Sequence, residues 1–240
     1  MSEGAALYLL DIEGTTTSVG FVFDVLFPFA RSQAAGFLAS QGATAEVIET
    51  LALLAADAGA ERAAGLDCPE VLEGAALLAT AEAAMLWMMD RDRKTQGLKR
   101  LQGQIWRAGY EQGTLESDVF DDVPVALRKW QSEGARIFIY SSGSVAAQRL
   151  LFRYSRCGDL TGLIDGYFDT AVGEKRSEAS YARILAEVGA AGSQVLFLTD
   201  IVAEADAATA AGMRVCIAER PGNATQPEHG YAVSSRFDLL

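Results

Sequence analysis

Four polar segments of this 240-residue chain lie just after an apolar run or in a short loop close to one. Their residue types suit acid–base chemistry and anion binding. They are Asp11 with Glu13, Ser141 with Ser142, Lys175, and Asp200 with Glu204. Carboxylates at such positions can act as nucleophiles, proton donors or metal ligands. Hydroxyl and ammonium groups can hold an anion.

The segments that precede these residues predict a parallel α/β sheet. Strand patterns occur at 7–10, 135–140 and 195–199, with further candidates near 163–168 and 213–218. Helical patterns alternate with these strands, which implies a parallel sheet covered by helices on both faces. Ligands of such sheets bind beyond the carboxyl ends of the strands, where the four polar segments would meet.

A long helical stretch separates the first strand from the rest of the sheet. From about residue 22 to residue 112 the chain is rich in alanine and leucine, with helical periodicity and almost no strand pattern. After it, Asp122 and Pro124 predict the start of a helix, with Asp122 as its N-cap. The sequence therefore predicts an α/β core with an all-helical insertion.

The carboxylates form a chemically coherent set around a phosphate ester. Asp11 can attack phosphorus and form an aspartyl-phosphate. Because the carboxylate and the phosphate repel each other, Asp11 and Asp200 require a hard divalent cation between them, and Mg²⁺ is the expected ion. Glu13 is placed to protonate the leaving oxygen and then to activate water.

The remaining groups fit the phosphoryl oxygens. A hydroxyl of Ser141 or Ser142 and the ammonium of Lys175 can hold these oxygens. Each residue alone has a simpler explanation, since an Asp after a strand is often a turn residue and a loop lysine is usually solvated. All four segments are predicted to lie at one edge of the sheet. The functional interpretation is therefore stronger for the four together than for any one of them.

Composition excludes several classes of partner. The net charge is −12, from 20 Lys and Arg against 32 Asp and Glu, and no long basic tract occurs. Binding to nucleic acid or to an anionic membrane is therefore disfavoured. The first residues lack the pattern of a signal peptide and no window is apolar enough to span a membrane, so a cytoplasmic location is expected.

The three cysteines predict no disulfide framework and no metal site. Cys68, Cys157 and Cys216 are far apart, and the only histidine is His229 near the C-terminus. Scattered thiols of this kind are expected to be reduced and structural.

Taken together, these motifs resemble those of the haloacid dehalogenase superfamily. Its motifs appear here as Asp11–Thr15 (DIEGT), Ile139–Ser142, Lys175, and Thr199-Asp200 with Glu204. The superfamily usually has a second aspartate where this chain has Glu13. The sequence DIEGTT is more narrowly similar to the enolase-phosphatase family of methionine salvage, which the stretches 92–110, 140–152 and 168–181 also resemble.

This resemblance implies a fold and a reaction. The fold would be a Rossmann-like core of residues 1–16 and 116–240, with an all-helical cap at 17–115. The reaction would be enolisation and dephosphorylation of 2,3-diketo-5-methylthiopentyl-1-phosphate to 1,2-dihydroxy-3-keto-5-methylthiopentene. The expected protein is a cytoplasmic monomer whose partner is a small phosphorylated substrate.

The resemblance also assigns roles to residues. Asp11 would be nucleophile and metal ligand, Asp200 a second ligand, and Glu13 would give a main-chain oxygen to Mg²⁺ while its side chain transfers protons. Glu204 would lie behind these ligands. Ser141, Ser142 and Lys175 would bind the phosphate.

Two residues of the helical insertion are further candidates for substrate binding. Lys94 and Gln102 lie in the stretch 92–110, and Gln102 with Trp106 on one helix face would line a methylthio pocket. Solvated helix residues remain the alternative interpretation. Phe23 and the pair Arg153-Tyr154 depart from the pattern of the family, which leaves details of substrate contact open.

Three other functions are weighed against this one. A phosphatase of another sugar phosphate would share the core but not the enolisation. A phospho-acceptor signalling module would also use an Asp, a hydroxyl and a lysine, but Glu13 and the helical insertion argue against it. A dehalogenase would not need Asp200 as a metal ligand. The base for enolisation stays open between Glu13 and a residue of the insertion.

Overall fold

The computed structural model describes residues 7–240. The chain forms two compact units. One comprises the chain up to Phe23 together with Glu116–Leu240, here called the sheet unit, and the other comprises Asp24–Leu115, here called the helical unit. Across residues 7–240, no helix combines the length and the apolar character required to cross a membrane.

Eight α-helices occur in the part of the chain that the structure describes. They are α1 (Phe27–Gln41), α2 (Ala45–Ala63), α3 (Leu77–Asp90), α4 (Gln96–Glu111), α5 (Asp122–Ser132), α6 (Val145–Arg153), α7 (Glu178–Val188) and α8 (Val202–Ala210). A wide helical turn at Phe21–Leu26 precedes α1. The first four helices belong to the helical unit and the last four to the sheet unit.

Within residues 7–240, the sheet unit contains six parallel strands. They are β1 (Leu7–Leu10), β2 (Arg136–Tyr140), β3 (Gly166–Phe168), β4 (Val195–Thr199), β5 (Arg214–Ala218) and β6 (Ala232–Ser234), in the spatial order β3-β2-β1-β4-β5-β6. Leu9 pairs with Phe138 on one side and with Phe197 on the other, so β1 lies at the centre. The predicted parallel sheet is confirmed, and β6 is a strand that the sequence did not reveal.

Alternation along the strands explains why helices cover both faces. Leu7 and Leu9 pack with residues of α7 and α8, including Tyr181 and Ala208, in one apolar cluster. Tyr8 points to the opposite face, where its ring stacks on Trp130 of α5 with centroids 3.8 Å apart. Every residue of β1 and β4 is buried on one face or the other, which accounts for the continuous apolar runs at 7–10 and 195–199. The predicted Rossmann-like α/β fold is confirmed.

The predicted capping role of Asp122 is wrong. The N-cap of α5 is Asp121, whose side chain accepts no capping hydrogen bond, and Asp122 is the first residue of the helix. The Asp122 carboxylate instead binds the Arg220 guanidinium through two hydrogen bonds of 2.9 Å. A buried cation competes more effectively for this carboxylate than the helix N–H groups do.

The helical unit has an apolar core of its own. Leu51, Leu54, Met85, Met88 and Leu101 are buried within it. At the start of α4, Gly97 lies so close to α2 that a Cβ atom would come within 2.4 Å of the Leu54 nitrogen. Only glycine permits this approach of the two helices. The Gly97 N–H also donates to the Asp57 carboxylate at 2.7 Å, which satisfies one of the free N–H groups of the α4 N-terminus.

Candidate active site

The carboxyl ends of three neighbouring strands carry predicted site residues. Asp11 directly follows β1, Ser141 directly follows β2, and Asp200 directly follows β4. The strand order places β1 between β2 and β4, so these residues share one edge of the sheet. The Asp11 N–H continues the β4 ladder by donating to Leu198 O at 2.9 Å. The sheet itself therefore fixes the direction in which Asp11 leaves its strand.

Lys175 reaches this edge from the loop before α7. Its Nζ atom lies 2.6 Å from Asp11 Oδ1 and 2.8 Å from Glu204 Oε2. The Lys175 side chain is only 11% exposed. Three predicted residues that are distant in sequence thus meet in one buried ion cluster.

Three hydroxyl groups hold the loop that carries Lys175. Tyr140 donates to Gly173 O at 3.0 Å, Ser180 to Glu174 O at 2.8 Å, and Tyr181 to Lys175 O at 2.7 Å. Three consecutive carbonyl groups are therefore bound to side chains of β2 and α7. This explains how a charged loop becomes ordered enough to present its lysine at the sheet edge.

Thr199, at the end of β4, connects two of the carboxylates. Its hydroxyl donates to Glu204 Oε2 at 3.0 Å and lies 3.5 Å from Asp11 Oδ2. Its oxygen also accepts the Ile201 N–H at 3.2 Å. The prediction that Glu204 lies behind the Asp11 and Asp200 carboxylates remains a prediction, but Glu204 is in direct contact with the lysine that binds Asp11.

The loop after β1 approaches Asp200 very closely. The N–H groups of Thr15, Thr16 and Thr17 all point at Ile12 O, at 3.2, 2.9 and 2.9 Å, so residues 12–17 form a tight turn. Gly14 has φ +67° in this turn, and a Cβ atom there would come within 2.4 Å of Asp200 Oδ2. Glycine is needed at position 14 for its backbone conformation and for space.

The charges in this cluster are unbalanced. Three buried carboxylates, from Asp11, Asp200 and Glu204, share the single ammonium group of Lys175. Burial and the neighbouring carboxylates raise the pKa of Asp200 to about 7, and burial and Asp11 raise the pKa of Glu204 to about 7. Burial acts to lower the pKa of Lys175, but Asp11 and Glu204 outweigh it and raise that pKa above its usual value.

This arrangement fits a divalent cation held partly by the main chain and water. Within residues 7–240, no three His, Cys, Asp or Glu side chains are arranged to hold a metal ion by themselves. The donors at the edge are oxygen atoms with an excess of negative charge, which suits a hard cation that retains several waters. A site of two carboxylates and one main-chain oxygen, as the family resemblance implies, needs no third side-chain ligand.

The other predicted residues differ in their placement. Glu13 and Ser142 are half-buried and lie in the same two loops as Asp11 and Ser141. Lys94 and Gln102 belong to the helical unit. Lys94 is exposed, with its ammonium group 3.6 Å from the Asp92 carboxylate, whereas Gln102 is buried on α4. Contact of these last two residues with a substrate stays a prediction.

Sequence reasoning missed several residues that support the site. Gln148 of α6 donates to Gly143 O at 2.7 Å and to Phe168 O at 2.8 Å, which ties the loop after β2 to the end of β3. Arg220 and Asn223, beyond β5, donate to the loop that follows Asp11. Polar residues just after a predicted strand were the available indication for Arg220 and Asn223. Gln148 lies inside a helix and had none.

A family model described as haloacid dehalogenase-like hydrolase matches residues 6–212. The chain belongs to this family, so it is a hydrolase, as the motifs and the parallel sheet predict. Enzymes of this family generally use a divalent metal ion.

Curated relatives show to which group within this family the chain belongs. Enolase-phosphatase E1 of Synechococcus elongatus is 49% identical over 97% of this chain and 96% of its own length. A probable bifunctional methylthioribulose-1-phosphate dehydratase/enolase-phosphatase E1 of Vitis vinifera is 45% identical over 95% of this chain, which spans 46% of that longer protein. Within the hydrolase family, the chain therefore belongs to the enolase-phosphatase E1 group, and the predicted resemblance is confirmed.

A solved structure agrees with this placement. The UTR4 protein of Saccharomyces cerevisiae has 35% sequence identity and a TM-score of 0.80, and the similarity covers 99% of this chain and 100% of that one. Both the fold and the chain length are thus shared with a protein of known structure.

Proposed function

We propose that this protein converts 2,3-diketo-5-methylthiopentyl-1-phosphate to 1,2-dihydroxy-3-keto-5-methylthiopentene and phosphate, by enolisation followed by dephosphorylation, in methionine salvage. Membership of the enolase-phosphatase E1 group supports this reaction. The fused relative of Vitis vinifera supports the substrate class, because its name joins the same activity to a dehydratase of a methylthio sugar phosphate.

The convergence of Asp11, Lys175 and Asp200 at one sheet edge is the structural observation that carries the proposal. Asp11 contacts Lys175 directly, and Gly14 brings the loop of Asp11 against Asp200. A nucleophilic carboxylate, a cation for the phosphate and a further carboxylate are the groups that phosphoryl transfer through an aspartyl-phosphate requires.

Mg²⁺ is the metal ion that we assign to this site. Asp11, Asp200 and the main-chain oxygen of Glu13 would hold it, in keeping with the oxygen donors and the negative excess of the cluster. When bound, the ion would offset the negative charge of the carboxylates and the phosphate. Glu204 would support these ligands through its contacts with Lys175 and Thr199.

Two displacements at phosphorus account for the phosphatase reaction. A carboxylate oxygen of Asp11 attacks phosphorus, the ester P–O bond breaks, and Glu13 protonates the leaving oxygen. Water then attacks the aspartyl-phosphate while Glu13 takes a proton from it, and the bond between phosphorus and Asp11 breaks. Ser141, Ser142 and Lys175 would bind the phosphoryl oxygens, where they oppose charge that develops in the transition state.

The remaining proposed roles concern residues of the helical unit. We assign Lys94 and Gln102 to substrate binding and treat the sequence segment 17–115 as the cap of the enzyme. The base for enolisation is either Glu13 or a residue of this segment. If Gln102→Ala left the Michaelis constant of the diketo phosphate unchanged, its role in binding would be excluded.

A direct assay tests the proposed function. Purified protein with Mg²⁺ should release phosphate from the diketo phosphate and form the enol product, which is followed by its ultraviolet absorbance. Glucose 6-phosphate and other sugar phosphates should be poor substrates, and chelation of divalent metal should stop the reaction until Mg²⁺ is restored. Preference for the ordinary sugar phosphates would contradict the proposal and favour a general phosphatase.

The proposal includes the expected setting of the enzyme. We place it in the cytoplasm as a monomer, and its net charge of −12 supports the expectation that it binds no nucleic acid. Size-exclusion chromatography with light scattering tests the monomer, and cell fractionation tests the location.

A further inference from the structure

The segment after β5 donates two hydrogen bonds to the loop that follows Asp11. Arg220 Nε donates to Thr15 O at 3.1 Å, and Asn223 Nδ2 donates to Gly14 O at 2.9 Å. Two side chains of one short segment thus bind two consecutive carbonyl groups. These peptide planes immediately follow the residues Asp11, Ile12 and Glu13.

Arg220 is itself rigidly held. Its guanidinium group makes two hydrogen bonds of 2.9 Å to the Asp122 carboxylate and one of 2.6 Å to Ser235 O. The same group lies over the rings of Phe120 and Phe237, at 4.5 and 4.2 Å from their centroids. A guanidinium bound on every side cannot follow a moving loop, so it acts as a fixed donor for Thr15 O.

Asn223 is held by the strand that precedes it. Its Nδ2 atom also donates to Ala218 O, at 3.1 Å, which sets the orientation of the amide group. Its Oδ1 atom then faces Gly14, 2.9 Å from the position that a Cβ atom would occupy there, on the side where Asp200 Oδ2 also lies. The Asn223 amide therefore lies beside the close contact between Gly14 and Asp200 and leaves no room for a side chain at position 14.

We propose that Arg220 and Asn223 are positioning residues that hold the Gly14-Thr15 backbone, and through it Asp11 and Glu13, in the geometry for catalysis. The physical reason is that a peptide plane with a bound carbonyl group cannot rotate without losing a hydrogen bond. Gly14 has no side chain to restrain it and adopts a left-handed conformation. An external support is therefore required at this point, because displacements of about 1 Å cost about 100-fold in rate.

Asn223→Ala tests the proposal most directly, because Asn223 lies in a half-buried surface loop and its loss leaves no charge unpaired. We expect kcat for the diketo phosphate to fall about tenfold, which equals about 1.4 kcal/mol of barrier. The Michaelis constant should stay within about twofold, because the substrate contacts are unchanged. Asn223→Leu, which removes the donors at a similar side-chain volume and adds no charge, should reproduce the loss.

Glu219→Ala is the matched control, since Glu219 is an exposed residue of the same segment. Its kcat should equal that of the unchanged protein. An unchanged kcat in Asn223→Ala would overturn the proposal. So would a fall in kcat that Glu219→Ala reproduces.

Hydrogen exchange provides a readout that does not depend on activity. In Asn223→Ala, peptides covering residues 11–17 should exchange faster, while peptides covering β2 and α7 should be unchanged. The activity measurement rests on the proposed function, and the exchange measurement does not, so the two can fail separately. Unchanged exchange at 11–17 would overturn the positioning role even if the enzyme used another substrate.

Arg220→Lys examines the second support. Lysine keeps the charge opposite Asp122 but cannot also reach Thr15 O and Ser235 O with a planar fork of donors. We expect faster exchange at 11–17 and a lower kcat, both larger in the double variant with Asn223→Ala. Exchange that rises only in the C-terminal peptides, with kcat unchanged, would show that Arg220 is purely structural.

Discussion

Two buried ion clusters of the sheet unit differ in charge balance. Around Lys175, one ammonium group faces Asp11 and Glu204, with Asp200 close enough to be affected by them. Around Arg220, one guanidinium group faces one carboxylate, that of Asp122, and its other donors reach main-chain carbonyl groups. Both clusters are almost inaccessible to solvent, so the difference lies in their charges rather than in their burial.

The comparison distinguishes a structural ion pair, that of Arg220 and Asp122, from the Lys175 cluster, whose negative charge is not balanced by the protein itself. A buried charge is tolerated when it is paired and hydrogen-bonded, as Arg220 and Asp122 are. The Lys175 cluster has more carboxylates than cations, and burial together with the neighbouring carboxylates raises the pKa of Asp200 and of Glu204 to about 7. We infer that this excess is maintained for a further cation, at a cost in the stability of the protein without metal.

Asp11→Asn should have the largest effect, because it removes the nucleophile without changing the shape of the side chain. Phosphate release should fall by about 10⁴-fold or more, equivalent to about 5.5 kcal/mol of barrier. The variant should fold normally, since one carboxylate fewer in the cluster relieves repulsion. Steady-state phosphate assays with circular dichroism as a folding check measure both, and substantial remaining activity would exclude Asp11 as nucleophile.

Asp122→Ala should have the next largest effect, which is a loss of folding stability accompanied by a lower kcat, because Arg220 also supports Thr15 O. It leaves the Arg220 guanidinium buried without its partner, which typically costs about 3–5 kcal/mol. Asp121→Ala is the matched control, because its exposed carboxylate pairs only at the surface with Arg156 and should contribute at most about 1 kcal/mol. Urea unfolding measures both variants. Equal losses would mean that the buried pair does not stabilise the fold as described.

Gly14→Ala should reduce kcat by about 100-fold, because the added methyl group would meet Asp200 Oδ2 and displace the loop. Gly134→Ala is the control for backbone strain. Gly134 also has a positive φ, of +83°, but nothing lies within 4 Å of its Cβ position. Gly134→Ala should lose only the stability that the strained backbone conformation costs, while keeping normal kcat. If both variants kept normal kcat, the close contact at Gly14 would not matter for catalysis.

The last prediction is a pH dependence of the stability of the metal-free protein. The Asp200 pKa of about 7 in the folded state exceeds that of an unfolded aspartate, so the folded state binds more protons between about pH 4 and pH 7. The free energy of unfolding should therefore decrease as pH rises through this window, by up to about 1.4 kcal/mol per pH unit for each such group.

Urea unfolding with a chelator, at several values between pH 5 and pH 8, measures this decrease. Asp200→Asn should make the decrease shallower, because the amide does not titrate while Glu204 still does. Added Mg²⁺ should raise the stability most at the higher pH values, where the carboxylates are ionised. A stability that increases with pH in the unchanged, metal-free protein would contradict the charge assignment of the cluster.

The central strands could be predicted because each is a continuous apolar run that ends at a polar residue. The runs before Asp11, Ser141 and Asp200 correspond to β1, β2 and β4. In contrast, β6 has only three residues, two of them exposed, and is a strand only through its pairing with β5, as in Cys216 with Ala232. The pattern of apolar residues in a short segment cannot predict a strand that forms only because it pairs with a neighbouring strand.

The candidate site shows the same division. The residues that could perform chemistry were identifiable because each follows a predicted strand or lies in a charged loop. Among the residues that hold them, Gln148 is a common polar residue inside a helix, and no local sequence pattern indicates its role. The misassigned role of Asp122 has the same origin, since its actual partner, Arg220, is 98 residues away.

The sequence by itself determined that the central strands β1, β2 and β4 form and which polar residues follow them. It therefore determined that Asp11, Ser141 and Asp200 belong to one edge of the sheet. The tertiary structure alone decided that Lys175 contacts both Asp11 and Glu204, and that Arg220 supports a carbonyl group 205 residues earlier in the chain. Strand formation depends on local burial, which the residue pattern records. The choice of a polar partner depends on which distant groups the packed helices and strands bring within hydrogen-bonding distance.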